Sequence, residues 1–382
     1  MQRLYFLLAL IILGCANKSQ ELTSEILPGA HQTKEYLPLL EGKKVGLTVN
    51  HSSLIGSTHL TDSLIKHGIH VTKVFTPEHG FTGTVSDGVL VEYDSTESSF
   101  ELISLYGKNK KPSDEQLIGL DIMVFDIQDV GARFYTYIST MHYVMEACAE
   151  NNIPIVILDR PNPNGSYVDG PVLDTAFQSF VGMHPIPIVH GMTVGELAQM
   201  INGEGWLKDR AKVDLKVIKI SNWDHGTKYS LPVNPSPNLP DDLSVALYPS
   251  LCLFEGTIMS VGRGTDYAFQ QIGHPDYPDT TYSFTPKSRE GAKWPPYEDQ
   301  LCYGKSWIDQ APEYGLKLQP LIDAYQLMNR EDFFNNYFKR LAGTNSLQKQ
   351  IEEGQTEEEI RASWEPELSN FKKKREQYLL YD

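Results

Sequence analysis

The loop after the first β-rich run, Asn50-His51-Ser52-Ser53-Leu54-Ile55-Gly56, has neither GxGxxG glycines nor a P-loop lysine. A nucleotide or dinucleotide ligand is therefore disfavoured, and no cofactor is expected. No HExxH or paired CxxC occurs, and the adjacent Glu78 and His79 are poorly spaced to share one ion, so no metal is expected. Ser52 and Ser236 both lack the GxSxG elbow of a serine hydrolase. Cysteine is scarce: after Cys15 only Cys148, Cys252 and Cys302 remain, an odd and sparse set that makes no disulfide framework. No basic patch offsets the net charge of −16, which argues against nucleic acid. The apolar N-terminal run Leu4 to Leu13 is ten residues, too few to cross a bilayer.

What is present begins with an envelope address. Arg3 precedes that apolar run, and Ile12-Leu13-Gly14-Cys15 resembles a bacterial lipobox. The expectation is a signal segment over 1–14, lipidation at Cys15, a polar tether over 15–35, and a protein held to a membrane of the cell envelope. Two folded domains then fit the remaining length, expected at 36–240 and 241–382.

Short, continuously apolar runs alternate with helical stretches. Lys44 to Val49, Val71 to Thr76, Asp121 to Phe125 and Ile153 to Leu158 read as buried strands, and Val213 to Ile220 as a further one. Helices are expected over Thr58 to His67, after the capping box at Ser113, over Met141 to Glu150, and after the capping box at Thr193. This alternation predicts an α/β, Rossmann-like parallel sheet, with a smaller C-terminal α+β domain closing a cleft. Later helices are expected over Leu321 to Tyr337 and Ser363 to Tyr381. In parallel sheets ligands bind beyond the carboxyl ends of the strands. Asn50, Glu78 with His79, Asp126 with Gln128, and Asp159-Arg160-Pro161-Asn162 all fall there. The rigid Asn234-Pro235-Ser236-Pro237-Asn238 marks the domain boundary and could line the cleft.

With those alternatives set aside, carboxylate chemistry is the leading reading. Cleaving a glycosidic bond needs a carboxyl that donates a proton and usually a second carboxylate. Glu78, fixed between Pro77 and Gly80, is the acid candidate; Asp126, Asp129, Asp159 and Glu255 are candidates for the second. Each could equally serve a salt bridge or turn. Glu196 is explained by its capping box. Arg133, Arg160 and Arg263 lie in three candidate site loops, where guanidinium groups would grip an anionic substrate or pair with the nearby aspartates. Tyr135 and Tyr137 would stack on a sugar or sit half-buried in a strand.

Pro77-Glu78-His79-Gly80, the stretch Asp126 to Tyr137, Leu158 to Pro163, Asn234 to Asn238, Glu255-Gly256-Thr257 and Gly262-Arg263-Gly264-Thr265 together resemble the exo-β-N-acetylmuramidase family, over roughly 36–382. The resemblance implies release of N-acetylmuramic acid from the non-reducing end of peptidoglycan-derived saccharides. It puts the catalytic glutamate on Glu78 and favours Glu255 as its partner, with Asp126 the alternative from strand-end position. It also gives the arginines a target, the lactyl carboxylate, for which Arg133 or Arg263 is favoured. The segment Thr265 to Gln270 departs from the family's Pro-Phe step. Displacement by water, a covalent intermediate and attack by the 2-acetamido oxygen all stay open. The competing readings are a non-catalytic saccharide-binding lipoprotein and an esterase or amidase acting on wall peptides.

Overall fold

The structure, a computed structural model, describes residues 25–78, 80–81 and 100–382. Its centre is a sheet of six strands: β1 (Lys44–Val49), β2 (His70–Thr76), β3 (Glu101–Ser104), β4 (Ile122–Asp126), β5 (Ile155–Leu158) and β6 (Leu215–Ile218). Their spatial order is β3-β2-β1-β4-β5-β6, and every neighbouring pair is parallel. The order reverses between β1 and β4, so the crevice beyond their carboxyl ends is where this topology offers a site.

Sequence composition explains the layering. In β4 alternate side chains serve opposite faces. Ile122 and Val124 join one core with Tyr36 and Leu40 of α1 (Thr33–Leu40) and Leu60 and Leu64 of α2 (Leu60–Lys66). Met123 and Phe125 join the other. That second core also takes Met141 and Val144 of α4 (Tyr137–Glu150) and Leu197 and Ile201 of α5 (Val194–Glu204), and it runs unbroken into the C-terminal domain. Among the described residues, one short α-helix, α3 (Asp114–Leu117), lies between α2 and α4. Burial on both faces is why these strands read as solid apolar runs rather than alternating ones.

Both expected capping boxes form: the Ser113 and Thr193 hydroxyls accept from the N–H groups of Gln116 and Glu196, whose side chains reach back. Several boundaries differ from expectation. His59 caps α2, so that helix starts after a two-residue ladder. Tyr137 opens α4 rather than lying in a strand. The chain is packed well before residue 36: Leu27 bridges Ser221 and Ala30 is fully buried, so the expected tether over 15–35 includes folded residues.

The C-terminal domain starts with α6 (Asp242–Leu251), which runs into a 3-10 turn at Cys252–Gly256. A three-stranded antiparallel sheet follows, β7 (Gln271–His274), β8 (Ser283–Phe284) and β9 (Cys302–Ser306), in the order β8-β9-β7. Helices α7 (Gln319–Met328), α8 (Phe338–Ala342), α9 (Ser346–Glu352) and α10 (Glu357–Arg375) complete it. Helix α7 stops at Asn329, whose φ of 45° is left-handed, short of the expected Tyr337. Helix α10 begins at its own Thr356–Glu359 capping box, before the expected Ser363. Cys148, Cys252 and Cys302 are all buried and unpaired as disulfides. Among the described residues no helix is long and apolar enough to cross a membrane.

Candidate active site

Strand β2 ends because Pro77 has no N–H to continue the ladder. The Gly80 N–H closes a turn onto the Pro77 carbonyl at 3.1 Å, with Gly80 at φ 68°, which a side chain would resist. Glu78 sits half-buried in that turn. Thr136, at the N-cap position of α4, makes no capping bond; its Oγ1 donates instead to Glu78 Oε2 at 3.4 Å.

Glu255 arrives from the other domain, on the 3-10 turn after α6. Arg263 Nε donates to Glu255 Oε1 at 2.6 Å, and the guanidinium lies 5.1 Å from the Phe269 ring centre. The segment that departs from the family pattern thus still supplies an aromatic support. Cys252 Sγ lies 3.6 Å from Glu255 Oε2. Tyr337 feels the charge of both carboxylates. Burial, with nearby Cys252, Glu255 and Glu78, pushes its phenol above the ordinary range, while Arg263 opposes this. The residue as a whole is 37% exposed. Tyr135 feels a similar pull: burial first, then Tyr137, Asp129 and Glu78 raise its phenol.

Several residues expected to touch substrate are spent on the scaffold. Asp126 is fully buried, its two oxygens taken by Arg160 Nε at 2.5 Å and Nη2 at 2.8 Å. This bidentate pair removes both from the list of substrate contacts, and Asp126 from consideration as the second carboxylate. Arg133 is also fully buried: Nη1 donates to the carbonyls of Pro171 and Ile186, Nη2 to those of Leu341 and Ala342. Having no surface, it cannot meet a lactyl group; of the two arginines favoured for that role, Arg263 remains. Asp159 accepts from Gly195 N, Thr193 Oγ1 and Tyr381 Oη, anchoring the start of α5 and the C-terminal tail. Asn162 bonds Asn164 N and Met192 O, and a Cβ on Gly131 would stand 2.0 Å from its Oδ1. Tyr135 Oη donates to Pro235 O at 2.7 Å and Tyr137 Oη lies 3.4 Å from it, so the pair holds the proline-rich loop.

Around that loop, His51 Nε2 lies 2.8 Å from the carbonyl of exposed Asn234, and Asn238 Nδ2 donates to Gly291 O. His51, Asn234, Ser236 and Pro237 line an open cleft of about 580 Å³ together with Arg289 and Glu290. Asn50 and Gln128 are buried beside β1 and β4, bridged by the Ser52 hydroxyl, which donates to Asn50 Oδ1 at 2.6 Å and accepts from Gln128 N at 3.1 Å. His79 and Cys15 lie outside the described residues. Thr136 and Cys252 are neighbours of the two glutamates that the sequence reading missed. Among the described residues no three His, Cys, Asp or Glu side chains converge as a metal site.

Asp129 is buried in the same layer, and burial raises its carboxyl to about 7. A carboxyl raised in the fold binds its proton more tightly folded than unfolded. Stability is then highest below the ordinary aspartate pKa of about 3.9 and declines as pH rises through about 7. Asp129→Asn should flatten that decline in urea titrations run from pH 4 to 8; an unchanged slope would refute the assignment.

A parallel α/β domain with a half-buried glutamate at a strand end, followed by a smaller domain carrying a glutamate–arginine pair, suits the hydrolysis of glycosides, and the protein is a glycoside hydrolase. The sequence profile of the N-terminal domain of exo-β-N-acetylmuramidase NamZ matches residues 45–243, and that of its C-terminal domain matches 246–381. The chain belongs to this exo-β-N-acetylmuramidase family. It is 38% identical over 378 aligned positions to the peptidoglycan β-N-acetylmuramidase NamZ of Bacillus subtilis (strain 168), covering 91% of this chain and 89% of that protein. Two crystal structures of DUF1343 family proteins from Bacteroides fragilis NCTC 9343 share the fold. One has 46% identity and a TM-score of 0.87, the other 27% and 0.80; each alignment covers 94% of this chain and 99% of the other.

Proposed function

We propose that this protein releases N-acetylmuramic acid from the non-reducing end of peptidoglycan-derived saccharides, with Glu78 as general acid and then base. The observations that carry the reading are Glu78, held in the turn beyond β2 with the Thr136 hydroxyl at 3.4 Å, and the Glu255–Arg263 pair of the C-terminal domain. Glu78 protonates the leaving oxygen. The N-terminus of α4, reached through Thr136, stabilises the carboxylate left behind. Glu255 holds Arg263, which takes the lactyl carboxylate, and Tyr337 lies under the sugar ring. The names of the family and of the Bacillus relative support the substrate.

Hydrolysis of an aryl β-N-acetylmuramide tests this reading, with the glucosaminide that lacks the lactyl group as comparison. Arg263→Met should raise KM for the muramide by about 10- to 100-fold, the worth of a charged hydrogen bond, and leave the glucosaminide nearly unchanged. Equal losses on both substrates would remove Arg263 from lactyl recognition.

The lipobox-like Ile12-Leu13-Gly14-Cys15 supports anchoring to an envelope membrane through Cys15. Cys15→Ser should move the expressed protein from the membrane to the soluble fraction; retention in the membrane would count against the anchor.

A further inference from the structure

Arg263 stands between two glycines, Gly262 at φ 78° and Gly264 at φ 83°, a stretch with little stiffness of its own. The fold supplies that stiffness through Gln271. This first residue of β7 is fully buried and paired in the ladder with Ser306 of β9. Its side chain packs directly against the loop: a Cβ on Gly262 would stand 2.6 Å from Gln271 Cγ. A one-way chain of hydrogen bonds runs through it. Tyr282 Oη donates to Gln271 Oε1, Gln271 Nε2 donates to Thr265 Oγ1 at 2.7 Å, and Thr265 Oγ1 donates to the Gly262 carbonyl at 2.7 Å. That carbonyl belongs to the peptide bond leading into Arg263. The direction is fixed, because the Thr265 hydroxyl also accepts the Tyr267 N–H at 3.1 Å and has one proton to give. Two backbone bonds tie the rest of the loop, Phe269 N to Val261 O at 2.8 Å and Lys287 N to Gly264 O at 3.0 Å. Arg263 itself reaches Glu255 Oε1 and the Phe269 ring.

We infer that Gln271 is the positioning residue of Arg263. Through Thr265 and the Gly262 carbonyl it fixes the turn that aims the guanidinium, and so sets the preference for a saccharide that carries a carboxylate. This rests on the proposed reading, in which Arg263 takes the lactyl carboxylate. Gln271 touches no substrate. Its amide suits the task because it accepts at one atom and donates at the other without bringing a charge beside the arginine. With the chain broken, the two glycines let the turn shift. A shift of roughly 1 Å is enough to spoil a two-point grip on a carboxylate. The penalty falls on the lactyl-bearing substrate, because the other sugar contacts do not run through this turn.

The experiment uses the whole protein with a matched aryl β-N-acetylmuramide and aryl β-N-acetylglucosaminide. Gln271→Met keeps the side-chain length and removes both bonds. It should raise KM for the muramide about 3- to 10-fold, the worth of a neutral hydrogen bond, with kcat changed less and the glucosaminide KM nearly constant. Thr265→Val breaks the same chain one link further on and should do the same, whereas Thr265→Ser keeps the hydroxyl and should behave as wild type. The double variant Gln271→Met with Thr265→Val should cost no more than either change alone; two independent structural defects would multiply. Equal losses on both substrates, or multiplying effects, would overturn the inference. So would a Gln271→Met with wild-type preference beside an Arg263→Met that has lost it, and the lactyl reading would then stand. An Arg263→Met that keeps the preference for the muramide would overturn that reading and the inference together. If Gln271→Met does not fold, Thr265→Val and Thr265→Ser decide.

Discussion

Glu78→Gln should lose at least ~10²-fold in kcat on an aryl β-N-acetylmuramide and keep the wild-type fold. The glutamine amide has the carboxyl's size and can still accept from Thr136, but it has no acidic proton for the leaving oxygen. The loss should grow with the basicity of the leaving group, since a poor leaving group depends most on protonation. Kinetics across a set of aryl leaving groups would check this. A fully active variant would end the assignment of Glu78 as acid.

The second large effect is on stability. Arg133→Ala should destabilise the protein by several kcal/mol, since each buried carbonyl left unpartnered costs about 1–3 kcal/mol and the lost side-chain volume adds a cavity. The side chain has no solvent exposure, so screening does not reduce the figure. Its loss would strand the carbonyls of Pro171, Leu341 and Ala342, leave that of Ile186 with only the Leu173 N–H, and open a cavity. Pro171 and Ile186 belong to the N-terminal domain and Leu341 and Ala342 to α8, so the guanidinium staples the domains. Gly343 ends α8 at φ 73°, and a Cβ there would stand 2.6 Å from Arg133 Nη2. Arg133→Lys should recover only part of the loss, because an ammonium has three donors and no planar fork. Urea unfolding measures both variants; a midpoint unchanged in Arg133→Ala would refute the staple.

The sheet was readable because burial on both faces writes each strand as an unbroken apolar run, as in Ile122 to Phe125. Helix starts were readable where a hydroxyl and an acid or amide stand three residues apart. Two elements were not. Strand β3 is a four-residue edge strand, Glu-Leu-Ile-Ser, which carries neither a long apolar run nor a turn signal. Helix α6 is buried from Leu243 to Leu251, so it has no polar stripe to reveal its period, and it contains Pro249. At the site, placement at strand ends was legible but direction was not. A charged loop residue has the same letter whether it faces a cleft or a carbonyl cage, and so Asp126, Arg133 and Asp159 were listed beside Glu78 and Glu255. Tyr337 was invisible for another reason: it lies far along the chain from both glutamates and no motif surrounds it.

The account depends on a sugar bond being broken from one end by the proton of Glu78. The most direct measurement is mass analysis of a peptidoglycan-derived disaccharide with N-acetylmuramic acid at its non-reducing end, incubated with wild type and with Glu78→Gln. The expected result is free N-acetylmuramic acid and its intact partner sugar from wild type, with almost none from the variant. An uncleaved disaccharide after long incubation with wild type, or equal release by the two proteins, would contradict it.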